Sequence, residues 1–213
     1  MKRILTFLGG CLLCGGCTWF SGELDLPSSY RLSLKWADGS PITNASCQLV
    51  GRTSAASAWG AAPPTLPLSG AASPDASGTV ELTANPATNA LPYAVDIAAD
   101  RLADTVRLRL LIVDLESPDL SAVLAKPLAF QFFPAVSPEE PIPGLLRLAE
   151  DSSFTSMLGT LPWPAGGTLV WPALSNPLNC WAEFQGLRMQ IEQDLTEGVW
   201  PDTVNWAVPP FEN

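Results

Sequence analysis

Runs in which every second residue is apolar, separated by proline- and glycine-rich stretches, confine this chain to β structure. Tyr30, Leu32, Leu34 and Trp36 fall on one side of an extended segment, and Arg31, Ser33 and Lys35 on the other. A period of two is the signature of a half-buried strand. The same alternation recurs at Ala45, Cys47 and Leu49, at Val80 and Leu82, and at Tyr93, Val95 and Ile97. It recurs again at Val106, Leu108, Leu110 and Ile112, opposed by Arg107 and Arg109, and at Leu128, Phe130 and Phe132. Leu111 and Val113 lie on the arginine side, so that strand is expected to be covered on both faces near its end. The 21 prolines argue against long helices.

The connections follow from composition. Asp38-Gly39-Ser40-Pro41 carries turn chemistry. Residues 51–77 are mostly Ala, Ser, Pro and Gly, with Trp59 as their one aromatic, and read as a long surface loop. Pro138, Pro141 and Pro143 fix an extended connection that marks the best candidate boundary. The expected organisation is therefore a β-sandwich over 30–135 and a Pro/Trp-rich extension over 136–213 packed on it. Leu145 to Ala149 reads as a helical turn, and Leu169 to Trp171 as a short strand. Cys180, Phe184, Leu187, Ile191 and Leu195 are spaced like one helical face, with Asn176-Pro177 as cap and first turn. They predict a helix over about 177–196, which Gly186 weakens by about 1 kcal/mol. Thr203 to Val208 reads as an edge strand. No internal repeat is visible. The expected fold is mainly β: an antiparallel sandwich with one C-terminal α-helix.

The N-terminus speaks to location. Met1-Lys2-Arg3 is basic, Ile4 to Leu13 is apolar, and Cys14-Gly15-Gly16-Cys17 ends the run. This segment resembles a bacterial lipoprotein signal, which implies cleavage after residue 16 and a lipid on Cys17. Leu8-Gly9-Gly10-Cys11 fits the usual lipobox better, but leaves an apolar stretch shorter than the roughly 7–15 residues a signal needs. Cys17 is the favoured lipid site, with 17–29 as a tether; an ordinary secretory signal is the alternative. The apolar run falls short of the ~20 residues of a membrane span. Several acyl chains, at about 0.8 kcal/mol per buried methylene, would hold the protein to a bilayer. The implied location is the cell envelope, at the outer membrane where the cell has one, since Thr18 is not the Asp that retains such proteins at the inner membrane.

Residues 30–99 carry a second resemblance. Asp38-Gly39-Ser40-Pro41-Ile42, Ala45-Ser46-Cys47-Gln48-Leu49, Ser77-Gly78-Thr79-Val80-Glu81-Leu82 and Tyr93-Ala94-Val95-Asp96-Ile97 occur in that order. The segment resembles the transthyretin-like or carboxypeptidase-regulatory-like β-sandwich. That resemblance implies an accessory or adhesive module without catalysis of its own, and an envelope or surface protein as partner.

Charge and cysteine content narrow the remaining choices. Loss of Lys2 and Arg3 with the signal leaves nine basic residues against 21 acidic ones. Nucleic acid is a polyanion that demands clustered Lys and Arg, so it is excluded as a partner. Cys47 and Cys180 would remain beside a lipidated Cys17, either as a disulfide or as two buried thiols.

The chain contains no histidine. Ser-His-Asp and Cys-His arrangements are therefore impossible, and two cysteines cannot build a four-ligand zinc site. No catalytic residue, metal site or cofactor is assigned. Asp96, Asp100 and Asp104 are candidate carboxylates for an irregular calcium site, and a hydrolase would need two of the chain's carboxylates to face each other. Five of the eight tryptophans lie between Trp163 and Trp206. Exposed, Trp163, Trp171, Trp200 and Trp206 would form a glycan-stacking surface; buried, they would plug the sandwich. The expected function is a non-catalytic, lipid-anchored scaffold or assembly module, with glycan binding as the alternative.

Overall fold

The computed structural model describes residues 26–52, 65–85, 90–136, 142–195 and 197–211. Among them are fourteen strands and no helix. The first seven are β1 (Ser29–Trp36), β2 (Ala45–Arg52), β3 (Thr65–Pro67), β4 (Thr79–Thr83), β5 (Pro92–Arg101), β6 (Asp104–Leu111) and β7 (Asp119–Leu124). They form a three-stranded sheet ordered β4-β1-β7 and a four-stranded sheet ordered β3-β2-β5-β6. Tyr30, Leu32, Leu34, Val80, Leu82 and Leu124 from one sheet share a core with Cys47, Leu49, Val95 and Ile97 from the other. The alternation read from the sequence is what produces this: apolar residues of each strand point between the sheets. Each fully buried aliphatic side chain contributes about 1.5–3 kcal/mol.

The next seven strands repeat the arrangement. They are β8 (Lys126–Pro134), β9 (Gly144–Ala149), β10 (Met157–Trp163), β11 (Gly167–Ala173), β12 (Leu178–Phe184), β13 (Leu187–Gln193) and β14 (Thr203–Val208). Their sheets are ordered β11-β8-β14 and β10-β9-β12-β13. Adding seven to each strand number of the first pair of sheets gives the second pair. The sense of pairing is kept as well: β1 pairs β4 antiparallel and β7 parallel, and β8 pairs β11 antiparallel and β14 parallel. The sequence suggested no repeat; the backbone contains one.

Two glycines occupy matching places in it. Gly78 (φ +78°) precedes β4, and a Cβ there would lie 2.5 Å from the Leu34 carbonyl oxygen. Gly166 (φ +75°) precedes β11, and a Cβ there would lie 2.2 Å from the Phe132 carbonyl oxygen. Both positions demand a left-handed backbone and close approach to the central strand, which only glycine meets without strain. The β5–β6 turn at Leu102-Ala103 and the β12–β13 turn at Gln185-Gly186 both have two positive φ values, the geometry of a tight two-residue hairpin.

The predicted helix over 177–196 is instead the β12–β13 hairpin. Cys180 pairs across the strands with Ile191, and Phe184 with Leu187. Residues placed symmetrically about a two-residue turn happened to fall at helical spacing, and Gly186 was the turn rather than a helix defect. Leu145 to Ala149 is likewise strand β9, not a helical turn. The loop read over 51–77 contains the short strand β3, paired with β2, and Ala72 exchanges backbone hydrogen bonds with Cys47. The end of β6 is not covered on both faces: it is an edge strand, with Leu111 51 % and Val113 95 % exposed. β14 spans Thr203–Val208 at a sheet edge, as read from the sequence. Leu124 is the last residue of the first hydrophobic core and Leu128 the first of the second.

Candidate functional site

The strands send the residues singled out from the sequence to separate places. Cys17 lies outside the described residues. Cys47 is buried in the first core and Cys180 in the second, and both are free thiols, so the candidate disulfide is absent. Alternation on β2 and β12 points each thiol into its own core. Burial pushes Cys47 up to about 11 and Cys180 up to about 12, so neither is a ready nucleophile.

The four tryptophans do not form a sugar platform. Trp163, Trp171, Trp200 and Trp206 are all buried, at 1–8 % exposure. Trp171 stacks on Phe130, with ring centroids 3.7 Å apart and planes at 18°, and Trp206 stacks on Phe132 at 5.5 Å. All four belong to the second core, the packing role that the sequence also allowed. Asp96 and Asp100 are also engaged. Asp96 accepts two hydrogen bonds from Arg109, at 2.6 and 2.8 Å, and Asp100 accepts one from the Thr105 hydroxyl. No cluster of three acidic or cysteine ligands capable of holding a metal occurs among the described residues.

The structure converges elsewhere, on the seam between the cores. One residue, Ala125, separates β7 from β8. The Asp38 turn closes when Trp36 and Ser40 pair their backbones and Gly39 takes a left-handed φ of +83°. Its carboxylate then points across the seam. Oδ1 accepts from the Ser40 amide at 2.9 Å and the Ser40 hydroxyl at 2.5 Å. Oδ2 accepts from the Lys126 ammonium and, at 2.9 Å, from the Trp200 amide. Lys126 Nζ also donates to the Trp200 carbonyl at 2.8 Å. Both side chains of this ion pair are at most 1 % exposed.

Burial alone would raise the Asp38 carboxyl. Hydrogen bonds from Lys126, the Ser40 hydroxyl and the Ser40 and Trp200 amides outweigh it and hold it at about 2. A second strap runs beside it. Arg101, at the end of β5, forms an ion pair with Asp202, donates to the Pro127 carbonyl and lies 5.8 Å from the Trp36 ring centroid. Turn, strand ends and the segment before β14 are thereby joined across the two cores. No buried side-chain nitrogen or oxygen among the described residues lacks a hydrogen-bond partner, and the arrangement ties these parts together.

The second core has one further charged cluster, on the outer face of β9, β12 and β13. Glu183 accepts from Arg147 and Arg188, both at 2.6 Å. The Arg188 hydrogen bond is the largest influence and lowers the Glu183 pKa; burial opposes it, and the Arg147 hydrogen bond adds to the lowering. The two guanidiniums lie 5.4 and 4.8 Å from the Phe154 ring.

Sequence reasoning missed Asp38 and Lys126. A signal existed: Lys126 is one of two lysines beyond the signal segment and interrupts an otherwise apolar run from Ala122 to Phe130. A long cation there must find a buried partner.

No family model matches this chain, and no curated protein matches its sequence. Solved structures that align with it include the following two. One is a streptococcal ancillary pilin, at 12 % identity and a TM-score of 0.31, covering 86 % of this chain and 63 % of that one. The other is the Bacillus anthracis TIE protein, at 8 % identity and a TM-score of 0.26, covering 87 % of this chain and 34 % of that one. The chain thus spans under two thirds of either protein's length.

Proposed function

We infer that this protein is a non-catalytic, exported interaction module: a short rod of two like sandwiches, tethered to the cell envelope by lipid on Cys17. The observation that carries the reading is the seam. A one-residue linker and a buried, fully hydrogen-bonded ion pair hold two sandwiches as one body, an arrangement suited to presenting surfaces at a fixed spacing. Interfaces between independent domains are ordinarily looser and leave relative motion as the default. The basic, apolar and Gly-Gly-Cys17 order of the N-terminus supports the tether.

Intact-mass analysis of protein from a membrane fraction tests this, beside a Cys17→Ser control. The expected result is a chain beginning at Cys17 with added acyl mass, and loss of membrane association in the control. An unacylated chain cut elsewhere would make it an untethered exported protein.

A further inference from the structure

We propose that the free edge of β6 is a docking site for an extended acidic segment of a partner protein, which adds to the sheet as an antiparallel strand; this deepens the interaction-module reading. β6 ends the sheet order β3-β2-β5-β6 and is eight residues long. The tight turn at Leu102-Ala103 sets its hydrogen-bond phase. Asp104 faces Arg101, and the pairs alternate from there. Even-numbered residues bond to β5, a pattern that the Ile112 amide continues by donating to the Tyr93 carbonyl. Odd-numbered residues therefore turn their backbone groups outward. The Thr105 amide is satisfied locally by Asp104, which leaves Arg107, Arg109 and Leu111 with outward amides.

The side chains on this edge specify the partner. Arg107 makes no ion pair or side-chain hydrogen bond among the described residues, whereas Arg109 is paired with Asp96. Arg107, Leu108 and Arg109 line a groove of about 390 Å³ with Gln48, Asp96 and Ala98. Leu108, Leu111 and Val113 are exposed along the same edge. A second copy of β6 is a poor occupant. In the registers centred on β6, which pair the most residues, symmetric antiparallel pairing sets Arg107 against Arg107 or Arg109, and like charges directly opposite are destabilising. A strand with acids at alternate positions sets them on the face of Arg107, and the apolar residues between them fall on the other face, over Leu108.

The equivalent edge of the second core shows what is missing here. β13 has the chain's own Pro209, Pro210 and Phe211 against its start, around a cavity shared with Leu187, Arg188 and Met189. Phe211 also meets Phe184, with ring centroids 5.8 Å apart. In the first core the chain after β7 runs straight into β8, and among the described residues no strand or tail lies along β6.

The test uses the full chain and two synthetic probes, Val-Glu-Val-Glu-Val-Glu-Val and its Lys-for-Glu counterpart. Hydrogen exchange locates binding, and fluorescence anisotropy measures it at low and high salt. The acidic peptide is expected to slow exchange at Arg107, Arg109 and Leu111 and to bind at least about threefold tighter than the lysine peptide. The preference should fall at high salt. Arg107→Glu should reverse it, and Arg107→Gln should weaken it without reversal; the second variant carries the test should the first fail to fold. Equal binding of both peptides would overturn the proposal, as would protection confined to another edge. Protection of β6 that rises with protein concentration in the absence of peptide would also overturn it, in favour of a second copy. None of these readouts depends on acylation of Cys17, so failure here and failure of the tether are distinguishable.

Discussion

In the first half, the central strand β1 buries Leu32 and Leu34 at its middle, between Tyr30 and Trp36 at its ends. In the second half the equivalent strand, β8, buries Phe130 and Phe132 against Trp171 and Trp206. The strand order, the parallel pairing of first and last strands, and the glycine before the fourth strand are the same in both. Only the filling differs. The architecture is therefore set by where apolar residues recur and where the backbone must turn, and it tolerates either aliphatic or aromatic packing between the sheets. The halves differ again at their edges. In the second, the tail reaches the start of one edge strand; in the first, no described residue lies along the matching strand, and the exit joins the second half.

Breaking the seam should have the largest effect. Lys126→Ala strands the buried Asp38 carboxylate, and removing one partner of a buried pair costs about 3–5 kcal/mol. The halves should then unfold in separate transitions, visible by following circular dichroism for the whole chain and tryptophan emission, which Trp163, Trp171, Trp181, Trp200 and Trp206 weight toward the second core. Lys126→Met is expected to cost less, because it restores packing while removing the cation.

Truncating a core aromatic should act on one half only. Trp206→Ala should cost about 3–5 kcal/mol through lost burial and a cavity. Leu34→Ala in the first half should cost about 2–5 kcal/mol. Chemical denaturation of each variant, read with a probe in each half, checks that the loss begins where the substitution lies.

Acid provides a gentler perturbation of the seam. Asp38 is held at about 2, below its ordinary 3.8. A depressed carboxyl adds stability above its unfolded value and loses it as the pH falls through the folded value. About 2 kcal/mol should therefore disappear between pH ~4 and pH ~2. Asp38→Asn should flatten that part of the stability profile.

The smallest expected effect concerns the matched hairpin turns. Gln185 has φ +51° and Leu102 has φ +52°. A left-handed conformation costs a non-glycine residue roughly 1–2 kcal/mol, and Asn tolerates it best. Gln185→Asn and Leu102→Asn should each raise stability by about 1 kcal/mol. Thermal melts would show whether the two turns respond alike, as the repeat requires.

Much of this was legible in the chain. The alternation at Tyr30–Trp36, Ala45–Leu49, Tyr93–Ile97 and Leu128–Phe132 marks strands because burial between two sheets imposes a period of two. The hairpin from Leu178 to Gln193 was not legible as strand, because its buried positions also fit a helical period and only Gln185-Gly186 distinguishes the two. The repeat was hidden for a related reason. A topology is conserved through glycine placement and burial pattern, while Leu34 and Phe132 share neither size nor shape. The seam was hidden because sequence spacing does not show that Asp38 and Lys126, 88 residues apart, meet.

Equilibrium unfolding of the unaltered protein beside Lys126→Ala, followed by tryptophan emission and by far-ultraviolet circular dichroism, tests the two-sandwich body most directly. One coincident transition in the parent protein, split into two by the substitution, is the predicted result. Separate transitions in the parent, or coincident and undiminished ones in the variant, would contradict it.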